Sequence, residues 1–226
     1  MVARRLSQVR ERIAAAAARA GRSPTEVTLV AVSKTADTDG LRAAYEAGQR
    51  DFGENRAARL VEVSALLPAE ARWHLVGRLQ GNKVPRVRPV VSLLHSLDRP
   101  ELAGYWVKGP GLPPPALVQV NVAGEAAKGG VSPGEAEGLV AFASELGIEV
   151  RGLMTIPPLP ERPEDSRRHF RALAGLREEL AARWPGLSEL SMGMTEDFEV
   201  AVEEGATLLR VGRAIFGPSP ENRERE

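Results

Sequence analysis

The chain has 226 residues and no formal net charge, with 30 basic side chains against 30 acidic ones. It contains no cysteine, which excludes disulfides, thiolate nucleophiles, iron–sulfur clusters and cysteine-bound zinc. Balanced charge gives no long-range pull toward nucleic acid, and no apolar run approaches the ~18 residues of a membrane-spanning helix. The length suits one large α/β domain, expected in the cytoplasm.

The opening stretch, MVARRLSQVRERIAAAAARAG, places Leu6, Val9, Ile13 and Ala17 on one helical face and stops at Gly21. Glu11 and this spacing argue against a transit peptide. Strand-length apolar runs then alternate with helical stretches. Strands are expected at Val27–Ser33, Asp51–Gly53, Trp73–Val76, Val90–Leu94, Ala116–Val122, Ile148–Met154, Leu187–Met192 and Thr207–Val211. Between them, Leu41, Ala44 and Tyr45 mark a helix closed by Gly48, and Leu60, Val61 and Leu67 mark another. Leu139, Phe142, Ala143 and Leu146 form a helical face closed by Gly147. Phe170, Leu173, Leu176 and Leu180 form the longest, after Pro163, and Asp197 to Glu204 the last, before Gly205. Lys108 to Pro115 reads as a rigid loop, and Pro218 to Glu226 as a charged, frayed tail.

Continuous apolar strands such as TLVAVS and ALVQVNV suit a parallel sheet buried on both faces. Eight strand–helix units predict a single (β/α)₈ TIM barrel with an extra N-terminal helix, one domain over 1–226 with its core at about 22–217. An open doubly wound sheet is the alternative.

Chemistry that needs a primary amine has four candidates, Lys34, Lys83, Lys108 and Lys128. Lys34 follows TLVAVS directly, at the strand end that faces a barrel's active site, where an amine is placed to attack a carbonyl. Ser191-Met192-Gly193-Met194 and Val211-Gly212-Arg213-Ala214 follow the seventh and eighth strands, where barrels often bind phosphate. Gly193 and Gly212 let backbone N–H groups approach an anion, Ser191 offers a hydroxyl, and Arg213 opens a short helix to Phe216. Arg210 lies inside an apolar strand, where its charge needs a partner. That partner is either a carboxylate such as Glu54 or a ligand's ring nitrogen or phosphate. His74, His95 and His169 stand at unrelated spacings, and no metal site is expected. Together the amine, the anion loops and Arg210 suit pyridoxal 5′-phosphate (PLP), though a sugar-phosphate aldolase satisfies the first two.

Several motifs in order sharpen this reading: AVSK (Ala31–Lys34), FGEN (Phe52–Asn55), WHLVGRLQGNK (Trp73–Lys83), QVN (Gln119–Asn121), KGG (Lys128–Gly130), RGLMTI (Arg151–Ile156), SMGM (Ser191–Met194) and LRVGRAIFG (Leu209–Gly217). The chain closely resembles the YggS/PROSC family of pyridoxal phosphate homeostasis proteins from about Val27 to Gly217. The resemblance implies a barrel like the N-terminal domain of alanine racemase, with PLP held as an internal aldimine on Lys34. It implies Arg210 at the pyridine nitrogen and Ser191, Gly193, Gly212 and Arg213 around the phosphate. Asn55 and Met154 would lie beside the ring, and His74 on the pocket side. Three positions depart from the family pattern: Arg213 replaces a common hydroxyl residue, TADTDG follows Lys34 where relatives often carry Lys-Pro, and Arg56 replaces an aromatic.

Arginine cannot act as an acid toward the pyridine nitrogen, which leaves the cofactor a weaker electron sink. Racemases with this barrel use a tyrosine as opposite-face base, whereas Tyr45 and Tyr105 are expected on outer helices. The expected function is PLP homeostasis without robust catalysis, the alternative a small PLP-dependent amino-acid racemase. Expected partners are PLP, small amines or amino acids, and PLP-dependent apo-enzymes; a monomer or weak dimer is expected.

Overall fold

Leu6, Val9, Ile13, Ala16 and Ala17 are buried along one face of α1 (Val2–Arg19) in the computed structural model, which describes residues 1–125 and 128–218. Gly21 ends this helix at φ +66°, a conformation that costs a residue with a Cβ. The strands that follow are β1 (Thr28–Val32), β2 (Asp51–Glu54), β3 (Arg72–Leu75), β4 (Leu93–Leu97), β5 (Ala116–Gln119), β6 (Val150–Met154), β7 (Glu189–Ser191) and β8 (Leu208–Val211). They pair in parallel in chain order, and β1 closes on β8 with Thr28 opposite Leu208 and Val30 opposite Arg210. The outer layer comprises α2 (Thr38–Glu46), α3 (Ala57–Ser64), α4 (Val84–Val87), α5 (Pro100–Trp106), α6 (Ala136–Glu145), α7 (Arg167–Ala181), α8 (Phe198–Glu203) and α9 (Arg213–Phe216). The fold is therefore a (β/α)₈ barrel, with α1 added against α8 and α9.

Strand alternation sorts the side chains into two regions. Leu29, Ala31, Phe52, Trp73, Leu75, Leu94, Val118, Leu153, Leu190 and Leu209 point outward into the shell shared with the helices. Val30, Leu93, Leu117, Met154 and Leu208 form a separate cluster inside the barrel. The same inward register also carries polar residues: Asp51, His74, His95, Ser191 and Arg210, all buried.

Some expectations shift. The fourth strand starts at Leu93, not Val90, because Val90 and Val91 belong to the turn after α4. Phe142 and Leu146, expected on the buried face of α6, are 38% and 37% exposed, while Leu139 and Ala143 are buried. Residues 219–226 of the expected charged tail lie outside the described residues. Among the described residues, no helix is long and apolar enough to cross a membrane.

Candidate active site

A cavity of about 490 Å³ opens at the C-terminal ends of the strands. That volume falls within the ~300–1,000 Å³ of typical small-molecule sites. Its walls come from consecutive strand ends: Val32, Lys34 and Thr35 after β1, Asn55 after β2, Val76 after β3, Ile156 after β6, Met194 to Asp197 after β7, and Arg210, Gly212 and Arg213 at β8. Of the four lysines only Lys34 lines it. Lys83 lies on a second, basic surface cavity, Lys108 rests over the Tyr105 ring at 4.9 Å, and Lys128 pairs with Glu125 at 2.7 Å.

Lys34 sits in the single 3₁₀ turn Ser33–Thr35, which ends β1. Buried Glu54 fixes this turn and the next one together. It accepts from the Ser33 hydroxyl at 2.8 Å, from the Asn55 backbone N–H at 2.8 Å and from Arg59 Nε at 3.1 Å. Glu54 thus anchors the backbone beneath Lys34 and Asn55. It is not the partner of Arg210, because it falls on the outward register of β2 beside Phe52.

Arg210 is buried, and both of its described hydrogen bonds go to neutral oxygens. It donates to Ser191 Oγ at 2.5 Å and to the Thr155 carbonyl at 2.8 Å. Burial lowers its pKa to about 10, offset in part by the negative charge of Asp197. Arg210 also lines the cavity. A buried cation without a carboxylate on it is costly unless an acceptor or anion meets it.

Gly212 forms the N-terminal boundary of α9, and a Cβ there would lie 3.0 Å from the Val32 carbonyl. Arg213 turns its guanidinium to Glu196 at 2.8 Å, at the rim. Ser191, Gly193, Met154 and His74 are not part of the cavity wall. Ser191 sits just beneath it, bonded to Arg210. Gly193 stands behind it at φ +91°, where a Cβ would meet Ala201 Cβ at 2.5 Å, and its carbonyl accepts from the Arg210 N–H at 3.0 Å. Met154 belongs to the apolar cluster inside the barrel.

His74 is deeper still. Its Nδ1 is hydrogen bonded to His95 Nε2 at 2.8 Å and its Nε2 to Asp51 Oδ1 at 3.1 Å. His95 Nδ1 is in turn bonded to Ser191 Oγ at 2.8 Å. Sequence reasoning missed His95 and Asp51. The signal was present: His74 and His95 share the inward register on adjacent strands, where interior residues meet. Among the described residues, no cluster of three or more metal-ligating side chains occurs.

An amine, an unpaired buried guanidinium and glycine-containing loops around one cavity define a barrel suited to an anionic carbonyl compound with a hydrogen-bond acceptor at its far end. Residues 5–220 match the family described as alanine racemase, N-terminal domain. The pyridoxal phosphate homeostasis protein of Aquifex aeolicus is 45% identical over 219 residues, covering 94% of this chain and 96% of the relative. That of Escherichia coli K12 is 39% identical over 229 residues, covering 96% of each. The structure of PipY from Synechococcus elongatus with PLP bound superposes with a TM-score of 0.78 at 33% identity, covering 96% of this chain and all of that one. The chain belongs to the pyridoxal phosphate homeostasis protein family, built on the alanine racemase N-terminal domain.

Proposed function

We propose that the protein binds PLP in this cavity and serves PLP homeostasis, holding the cofactor on Lys34 and releasing it to amines, amino acids or PLP-dependent apo-enzymes. PLP supplies an aldehyde that condenses reversibly with an amine. Lys34 is the amine of the cavity. Arg210 donates to the ring nitrogen through guanidinium hydrogens that Ser191 and the Thr155 carbonyl leave free. The turn at Gly212 and Arg213 receives the phosphate through backbone N–H groups, with the guanidinium of Arg213 at the rim. Asn55, on the turn anchored by Glu54, flanks the ring. Ser191 steadies Arg210 from below.

The observation that carries this reading is Arg210, a buried guanidinium bonded only to neutral oxygens and facing the same cavity as the lysine. A guanidinium is a donor only, so it meets an unprotonated ring nitrogen, and the cofactor's electron-withdrawing power stays low. Tyr45 on α2 and Tyr105 on α5 both lie outside the cavity wall, so neither supports an opposite-face proton transfer. Carriage is favoured over racemisation.

The test is Lys34→Ala. After borohydride reduction in the presence of PLP, intact mass should show one cofactor fixed to the wild type and none to the variant. A variant that still loads covalently overturns the lysine assignment. A wild type that gives no spectral change when titrated with PLP overturns the function.

A further inference from the structure

The barrel interior carries an unbroken chain of hydrogen bonds from the cavity to the opposite end of the strands. It runs from Arg210 to Ser191 (2.5 Å), His95 (2.8 Å), His74 (2.8 Å) and Asp51 (3.1 Å). Asp51 is the first residue of β2, at the N-terminal face, where Arg72 clamps both of its oxygens at 2.7 and 2.5 Å. β3 and β4 are not neighbours of β7 and β8, so the His95–Ser191 bond crosses the interior. Polar groups are costly at such depth, and here each one finds a partner.

The direction of the hydrogens follows from the two ends together with the Ser191 hydroxyl, whose one acceptor among its described partners is His95 Nδ1. Arg210 only donates, and ionised Asp51 only accepts. Burial works to raise the pKa of Asp51, but hydrogen bonds from His74 and Arg72 outweigh it and hold the carboxyl below its ordinary value. His95 is completely buried, and burial pushes it well below the usual imidazole range, so it is neutral with one donor and one acceptor. One arrangement satisfies all five groups. Arg210 donates to Ser191, the Ser191 hydroxyl donates to His95 Nδ1, His95 Nε2–H donates to His74 Nδ1, and His74 Nε2–H donates to Asp51. In the reverse arrangement His95 Nδ1–H and Arg210 both point at Ser191 Oγ, and the serine hydroxyl has no acceptor among its described partners.

From this geometry we infer that His95, backed by His74 and Asp51, is a positioning residue for Arg210. By taking the serine's hydrogen, His95 turns Ser191 from a two-way hydroxyl into an acceptor. That fixes the guanidinium fork between Ser191 and the Thr155 carbonyl and aims its remaining donors into the cavity. The inference rests on the proposed PLP site only for what the aimed donors meet. The relay itself is a property of the protein alone. Chains of this kind polarise along their length, so an uninterrupted path to a carboxylate strengthens the hold on the cation.

Nitrogen-15 NMR of the histidine rings in cofactor-free protein reads the relay directly. Both His74 and His95 should carry their hydrogen on Nε2, with Nδ1 bare. A hydrogen on His95 Nδ1 overturns the inference, whatever the protein binds. His95→Phe then tests the consequence. It should still load PLP on Lys34, but the ring-nitrogen resonance of labelled cofactor should move, and release to an added amine should be faster by about ten-fold, the scale of one hydrogen bond. A purely structural histidine would lower the melting temperature and leave that resonance and rate unchanged, which also overturns the inference. Where His95→Phe fails to fold, Ser191→Ala gives the same two readouts with a smaller change of volume. Loss of covalent loading in the wild type would instead count against the site reading, with the tautomer result still standing.

Discussion

Arg167 and Arg210 carry the same side chain in opposite surroundings. Arg167, at the start of α7, meets Glu164, Glu203 at 2.7 Å and Glu204 at 2.5 Å, and these bonds hold its pKa above the ordinary arginine value. It belongs to a lattice in which α8 is tied to α1 by Arg12–Glu199 and Arg19–Glu203, both at 2.8 Å, and to α7 by Arg171–Glu204 at 2.9 Å. Among the described residues Arg210 bonds only neutral oxygens, and burial lowers its pKa. The first arrangement is what balanced charge permits on a surface that is rich in both signs. The second holds a desolvated cation where no charge was needed for packing, beside a cavity. A site is marked here by an unmet electrostatic need, whereas the many met ones mark scaffold.

The strongest way to break this contrast is Arg210→Met. Replacing a buried ion by an apolar side chain of similar volume is often neutral or stabilising, and leaving Ser191 and the Thr155 carbonyl unpaired costs about 1–3 kcal/mol in the other direction. The cofactor-free variant should therefore melt close to the wild type. PLP affinity should fall about ten- to hundred-fold, the ~1.5–3 kcal/mol of a hydrogen bond to a charged group. Titration and melting curves on the same preparations decide it. A variant that unfolds readily yet binds PLP as before would make Arg210 structural.

Much of this was legible in the sequence because outward-facing positions repeat. The runs around Leu29, Val118 and Leu153 pack against helices and read as strands at once. The interior was harder. β4 was displaced because its inward positions include His95 and its neighbour Ser96 is polar and buried, donating to the Gly77 carbonyl at 2.7 Å. The adjacent apolar Val90 and Val91 drew the strand toward themselves. Glu54 stood as one of the alternative partners of Arg210 for a related reason: two charged residues in buried strands look like a pair until the register puts them on opposite sides of the sheet. Single residues such as Lys34 and Arg210 could be picked out at strand ends. The line from Arg210 to Asp51 could not, because it joins five strands whose alignment across the barrel depends on closure.

The weaker effects lie on the surface lattice. Arg167→Ala should lower stability by about 1 kcal/mol, since ion pairs of the surface layer, even part-buried ones such as these, gain little net energy in water. Chemical denaturation at neutral pH measures this. PLP affinity should be unchanged, in contrast to Arg210→Met. A loss of several kcal/mol would mean that the lattice holds α8 in place and that scaffold charges matter as much as the site's.

The smallest effect is the pH dependence of that difference. Glu203 is held below its ordinary pKa chiefly by the hydrogen bond from Arg167, against the opposing effect of burial, with Arg19 adding to the shift. A carboxylate with a depressed folded pKa contributes stability that is fully present above its unfolded value of about 4.3 and is lost as pH falls through the folded value. The gap between wild type and Arg167→Ala should thus be constant from neutral pH to about pH 5 and close below it. Raising salt to about 1 M, where screening acts within ~3 Å, should shrink the gap at neutral pH as well. Asp51 in the barrel is also depressed, but its hydrogen bonds from His74 and Arg72 are common to both proteins and cancel in the comparison. A gap that persists unchanged at pH 3 and in high salt would assign the effect to the packed aliphatic stem of Arg167, and the surface lattice would then be held by contact and not by charge.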